Sequence, residues 1–170
     1  MFDRILLPLN GTDVGEAAIE PARLLAERLD GELVLLRVVE PHPATVYGSG
    51  EGPPPPSRGL AEVERGALAE AEAYMRDVAD RLSGYVRVRA AVRHGEPLRQ
   101  ILRAARDFDC GLVALATHGH GPLRRMVGGS LTEQVLRHGG LPVLLVRAQP
   151  GRAGVGRAVA ADRADPGEGG

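Results

Sequence analysis

The sequence predicts an α/β protein in three layers, α/β/α, with a five-stranded parallel sheet in the middle. Two observations predict it. Short apolar runs alternate with stretches of helical spacing from Arg4 to Arg147, giving the order β-α-β-α-β-α-β-α-β. The runs Leu33–Val39 and Leu112–Ala116 are nearly continuous in apolar residues, as strands covered on both faces must be. Right-handed crossovers between successive strands then set helices on both faces of one parallel sheet.

Each element has its own justification. Arg4-Ile5-Leu6-Leu7-Pro8-Leu9 is the first strand, ended by Asn10-Gly11-Thr12-Asp13. Glycine there permits a tight turn, and Thr12 or Asp13 caps the helix that follows. Ala17, Ala18, Ala22, Leu24, Leu25 and Leu29 recur at helical spacing from Val14 to Leu29, and Asp30-Gly31 stops that helix. Glu32–Val39 is the second strand. Residues 41–58 change character, with Gly48, Gly50 and Gly52 ahead of four consecutive prolines from Pro53 to Pro56. Stiff polyproline joined to flexible glycine reads as a surface excursion. A long alanine- and glutamate-rich helix spans Leu60 to Leu82. Tyr85 to Val92 alternates apolar residues with arginine, which places a strand with one more polar face near a sheet edge. Glu96 to Arg106 is a helix with Pro97 in its first turn, where a missing N–H costs nothing. Leu112–Ala116, a helix over 130–138 and the strand Val143–Val146 complete one domain over residues 1–148. Residues 149–170 lack periodicity and are expected to form a disordered tail.

Composition narrows the function. A formal charge of −1 and a pI near 6.5 give no basic field for nucleic acid or anionic lipid. All 21 basic residues are arginine, which excludes the lysine of a phosphate-binding P-loop and any Schiff base. Cys110 stands alone, so neither an internal disulfide nor a multi-cysteine zinc site can form. No apolar stretch approaches the roughly 18 residues of a membrane span, and the expected location is the cytoplasm. Aromatic residues make up 3% of the chain, too few for a base-stacking nucleic-acid platform. No Gly-x-Ser-x-Gly occurs, His42, His94 and Glu96 lack metal-ligand spacing, and Asp13, Glu16 and Glu20 read as an acidic helix start. No catalytic residue and no metal ligand is therefore assigned.

The most informative segment is Ala116-Thr117-His118-Gly119, nine residues, then Gly129-Ser130. It leaves the carboxyl end of a buried strand and opens the next helix. Unpaired N–H groups at a helix start attract anions, and glycine lets backbone approach a phosphate closely. The end of the first strand, Pro8 to Thr12, would meet this loop if the strand order is 3-2-1-4-5, because ligands of such sheets sit where the order reverses. Within the loop, His118 is either a phosphate partner or a turn histidine bonding its own loop. Arg124 and Arg125 either screen phosphate or lie in solvent.

These motifs resemble the universal stress protein family. Its nucleotide loop is similar, with Ala116 where the family usually has glycine. Ile5-Leu6-Leu7-Pro8-Leu9-Asn10-Gly11-Thr12 is similar to the family's opening, with Asn10 in the place of aspartate. Gly95-Glu96-Pro97, Gly129-Ser130-Leu131-Thr132-Glu133-Gln134-Val135-Leu136 and Leu141-Pro142-Val143-Leu144-Leu145-Val146 match further segments. The resemblance implies an adenine nucleotide alpha hydrolase-like, Rossmann-like fold with strand order 3-2-1-4-5. It implies an ATP site, with or without Mg2+. Pro8, Leu9 and Asn10 would border base and ribose, and the Val38 backbone would read the adenine edge. Leu115, Ala116, His118 and Gly119 would follow ribose and phosphates, and Gly129, Ser130, Leu131 and Thr132 would donate to the phosphates. The implied function is a nucleotide-binding regulator of the stress response, homodimeric through Pro142–Val146. A dimeric scaffold that binds no nucleotide and a slow nucleotide hydrolase stay open as alternatives.

Overall fold

The computed structural model describes residues 2–41, 57–118 and 131–148. Its elements are β1 (Arg4–Pro8), α1 (Asp13–Glu16), α2 (Ile19–Arg28), β2 (Glu32–Val39), α3 (Ser57–Leu82), β3 (Arg87–His94), α4 (Pro97–Asp107), β4 (Leu112–His118), α5 (Leu131–His138) and β5 (Val143–Ala148). All five strands are parallel, in the order β3-β2-β1-β4-β5. The arginine alternation in β3 marks an edge strand, as expected.

Alternation of side chains across the sheet builds two cores. On one face Ile5, Leu7, Leu33 and Leu35 pack with Ala18, Ala22 and Ala26 of the α2 region and with Met75, Val78 and Leu82 of α3. On the other, Leu6, Val34, Leu36, Val113 and Leu115 pack with Ile101, Ala104 and Ala105 of α4 and Val135 of α5. No charged or polar residue is buried among the described residues. Nor is any helix among them long and apolar enough to cross a membrane.

Where the elements differ from the sequence reading, local chemistry explains it. The single helix expected over Val14–Leu29 is two helices, broken at Ala17 and Ala18. Pro21 has no N–H to give the Ala17 carbonyl, and its ring crowds that oxygen. α2 ends on Asp30 in the left-handed region (φ 49°), with Gly31 N–H donating to Ala26 C=O at 2.8 Å. β3 starts at Arg87 rather than Tyr85, because the Tyr85 and Val86 N–H groups are taken by Leu82 C=O at the end of α3 (3.0 and 3.3 Å). The helix Glu96–Arg106 starts instead at Pro97: Glu96 is its N-cap, its carboxylate accepting from Leu98 N–H and Arg99 N–H at 2.9 and 2.8 Å. β4 and β5 run past Ala116 and Val146 because they pair with each other as far as His118↔Ala148.

Two outcomes are expected. Leu35→Ala should cost about 2–5 kcal/mol in denaturant unfolding, since Leu35 is fully buried, whereas Val63→Ala, at a position 56% exposed, should stay within about 0.5 kcal/mol. Burial pushes the Cys110 thiol up to about 11, so it stays protonated at pH 8. Ellman's reagent should label the native protein far more slowly there than the urea-unfolded chain.

Candidate functional site

The carboxyl end of the sheet opens between its two central strands. β1 pairs with β4 only at Ile5↔Leu112 and Leu6↔Val113. β1 nevertheless stays paired to β2 through Pro8↔Leu36, and β4 to β5 through His118↔Ala148. The chain leaves β1 toward α2, on one face of the sheet, and leaves β4 toward α5, on the other. Crossovers departing to opposite faces part the strands and leave a crevice between them.

This parting frees a specific pair of backbone groups. Leu9 N–H donates to Leu36 C=O at 2.8 Å, and the β1–β2 register ends there. In a parallel ladder alternate residues face a given neighbour, so the next residue of β2 to face β1 is Val38. By then the chain has turned away at Gly11, whose φ of 75° requires a residue free of Cβ strain. The Val38 N–H and C=O therefore point over the end of β1, one donor beside one acceptor, with no strand opposite among the described residues.

The turn after β1 is organised by Asn10. Its Oδ1 accepts from Thr12 N–H (3.1 Å) and from the Thr12 hydroxyl (2.7 Å). The same hydroxyl, as N-cap of α1, accepts from Gly15 N–H at 3.2 Å. A Cβ on Gly15 would collide with Asn10 Oδ1, so any larger residue there displaces the Asn10 carboxamide from its place in the turn. The carboxamide oxygen is thus spent inside the turn, and what Asn10 offers a ligand is its amide N–H pair. An aspartate in this place would offer a second acceptor instead.

Behind the turn, Tyr74 of α3 donates its hydroxyl to Glu16 Oε1 at 3.0 Å and ties α1 to α3. Burial first, and then the Glu16 carboxylate, hold the phenol far above its ordinary pKa, while Arg37 and Arg81 oppose the shift. Arg37 stands at the carboxyl end of β2. Its Nη1 donates to Leu9 C=O at 3.4 Å, and among the described residues no ion pair occupies the rest of its guanidinium. Sequence reading passed over Arg37 and Gly15. Arg37 did carry a signal, as the one charge within Leu33–Val39.

The structure brings the described members of the expected site to this end of the sheet. Pro8, Leu9 and Asn10 close β1, Val38 lies near the end of β2, Leu115, Ala116 and His118 end β4, and Leu131 and Thr132 begin α5. The side chains of Leu9 and Leu115 belong to the cores, which leaves only their backbones to the crevice. Ala116 pairs with Val146 in regular strand, and the only non-glycine residues with positive φ among those described are Asp30 and Asp109. Its methyl group is therefore free of the strain a left-handed backbone would impose. Gly119, His120, Arg124, Arg125, Gly128, Gly129 and Ser130 lie outside the described residues, as do His42, most of the 41–58 excursion and the 149–170 tail. No group of three or more His, Cys, Asp or Glu side chains among the described residues is placed to hold a metal ion.

Comparison with known proteins gives a consistent identity. The model of the universal stress protein family matches residues 1–147. A universal stress protein of Thermus aquaticus is 30% identical over 148 residues, which cover 86% of this chain and all of that one. The solved structure of MJ0577, a universal stress protein of Methanocaldococcus jannaschii, superposes with a TM-score of 0.70 at 22% identity, covering 88% of this chain and 99% of that chain. A family protein from Arabidopsis thaliana, solved with AMP bound, superposes with a TM-score of 0.57 at 12% identity, covering 86% and 92%. The chain belongs to the universal stress protein family.

Proposed function

We propose that the crevice between β1 and β4 binds an adenine nucleotide, ATP in the cell with or without Mg2+, as a regulatory ligand of the cytoplasmic stress response. The observation that carries this reading is Val38. Its unpaired N–H and C=O match the acceptor and donor that adenine presents side by side on its Watson–Crick edge. Pro8, Leu9 and Asn10 then border base and ribose. Leu115, Ala116, His118 and Gly119 follow ribose and phosphates. Gly129, Ser130, Leu131 and Thr132 supply N–H and hydroxyl donors at the start of α5, where the helix dipole favours phosphate. The AMP held by the Arabidopsis relative supports the ligand class. ATP supplies binding energy here rather than a reacting bond, and its binding biases a partner surface. A scaffold that binds no nucleotide is the second reading, and Asn10, whose oxygen is already spent, favours it.

We also propose a homodimer through Pro142–Val146. β5 is an edge strand carrying Val143, Leu144 and Val146, half-buried, and Leu145, 43% exposed. An apolar edge left open is a template for uncontrolled pairing, and a two-fold contact closes it.

Acid precipitation of the purified protein, followed by chromatography and mass spectrometry, should release roughly stoichiometric ATP or ADP. Protein stripped of nucleotide should gain about 2.7 kcal/mol when Mg-ATP is supplied at a hundredfold excess over its Kd. An empty extract together with an unchanged melting temperature in millimolar Mg-ATP selects the scaffold. Sedimentation at micromolar concentration should give a dimer, and Leu145→Arg should give a monomer. A monomeric parent protein contradicts the interface.

A further inference from the structure

Resting on the adenine-nucleotide reading, we propose that the ribose end of this crevice selects a nucleotide bearing a second phosphate on the ribose 2′ or 3′ oxygen. Its partners are the Arg37 guanidinium and the Asn10 amide N–H groups.

The polar side chains at this end present donors and few acceptors. Two vicinal ribose hydroxyls are best met by a carboxylate, which accepts from both, and sites built for a ribose phosphate use an arginine instead. Here Asn10 offers no acceptor, since Oδ1 already takes two hydrogen bonds from Thr12. Arg37 has five N–H donors and spends one among the described residues, on a long contact of 3.4 Å to Leu9 C=O. That contact sets the guanidinium one residue from Asn10. The group is half-buried and no carboxylate among the described residues is paired to it, so its charge is less screened than that of a surface arginine. A planar guanidinium with free edges suits a phosphate through two parallel hydrogen bonds.

Nearby carboxylates leave this arrangement intact. Glu16 is engaged by the Tyr74 hydroxyl. Asp13 is exposed at the first position of α1, where the helix dipole and solvent stabilise its charge. A ligand that ends in a free ribose diol leaves Arg37 unanswered, and a ribose phosphate answers it.

The test is calorimetric titration of the nucleotide-free full chain with AMP, adenosine 2′,5′-bisphosphate and adenosine 3′,5′-bisphosphate. One of the two bisphosphates should bind about tenfold tighter than AMP or better, the value of one charge-assisted contact. Arg37→Gln should bring the ratio of that bisphosphate to AMP close to one, Arg37→Lys should keep part of it, and Asn10→Asp should lower it by adding a negative charge. Each ratio is taken within one variant, so a general loss of stability cancels. Equal binding of all three nucleotides, or a ratio unmoved in Arg37→Gln, overturns this proposal and leaves the adenine site standing. Failure of every nucleotide to bind, AMP included, overturns the adenine reading and this proposal with it.

Discussion

The carboxyl end of this sheet depends on how soon its central strands part. β1 and β4 are in register only at Ile5↔Leu112 and Leu6↔Val113, while β1 stays paired to β2 through Pro8 and β4 to β5 through His118. The cause is topological. β1 feeds helices on one face and β4 feeds α5 on the other, so the two chains diverge as they leave the sheet. Burial of Ile5, Leu6, Leu112 and Val113 holds the strands together up to that point. Above it, backbone that a continuous ladder would consume is available, and the Val38 donor and acceptor are the clearest case. A ligand site on this fold is in that sense the unpaired remainder of the sheet.

The turn after β1 shapes that remainder. Asn10, Thr12 and Gly15 form a relay in which each polar group answers the next, from Gly15 N–H to the Thr12 hydroxyl to Asn10 Oδ1. The relay fixes α1 at the lip of the crevice, and the Tyr74–Glu16 hydrogen bond secures it from behind. It also decides what the turn shows to a ligand. With its oxygen turned inward, Asn10 faces outward as a donor, and Arg37 stands beside it as a cation anchored by one backbone carbonyl. Replacing a carboxylate by a carboxamide at this one position therefore changes the electrostatic sense of this end of the crevice while Oδ1 still holds the turn.

Most of the fold was legible because burial writes itself into apolar periodicity. The nearly unbroken run of β2 announced a covered strand, and the arginines of β3 announced an edge. The misreadings share a cause: they concern where a segment stops, which its neighbours decide. Leu82 captures the N–H groups of Tyr85 and Val86 and delays β3. Pairing with β5 carries β4 through Thr117 and His118, whose polarity hides the strand. The break before α2 was open to a closer reading, since Pro21 forbids the helix from running through Ala17. The described members of the expected site lie at one end of the sheet because strand order places the ends of β1, β2 and β4 there. Arg37 escaped notice because an isolated charge in an apolar strand means little until its distance to Leu9 is known. The close approach of Gly15 to Asn10 is likewise a property of the folded turn.

The most direct test of the account follows the Val38 amide itself. A titration of the nucleotide-free, 15N-labelled protein with AMP should move the Val38 backbone resonance saturably, together with those of Leu9, Asn10 and Ala116. The edge strand β3 and the start of α4 should stay still. Saturable shifts elsewhere, with Val38 unmoved, would contradict the claim that the parting of β1 and β4 exposes an adenine-reading edge.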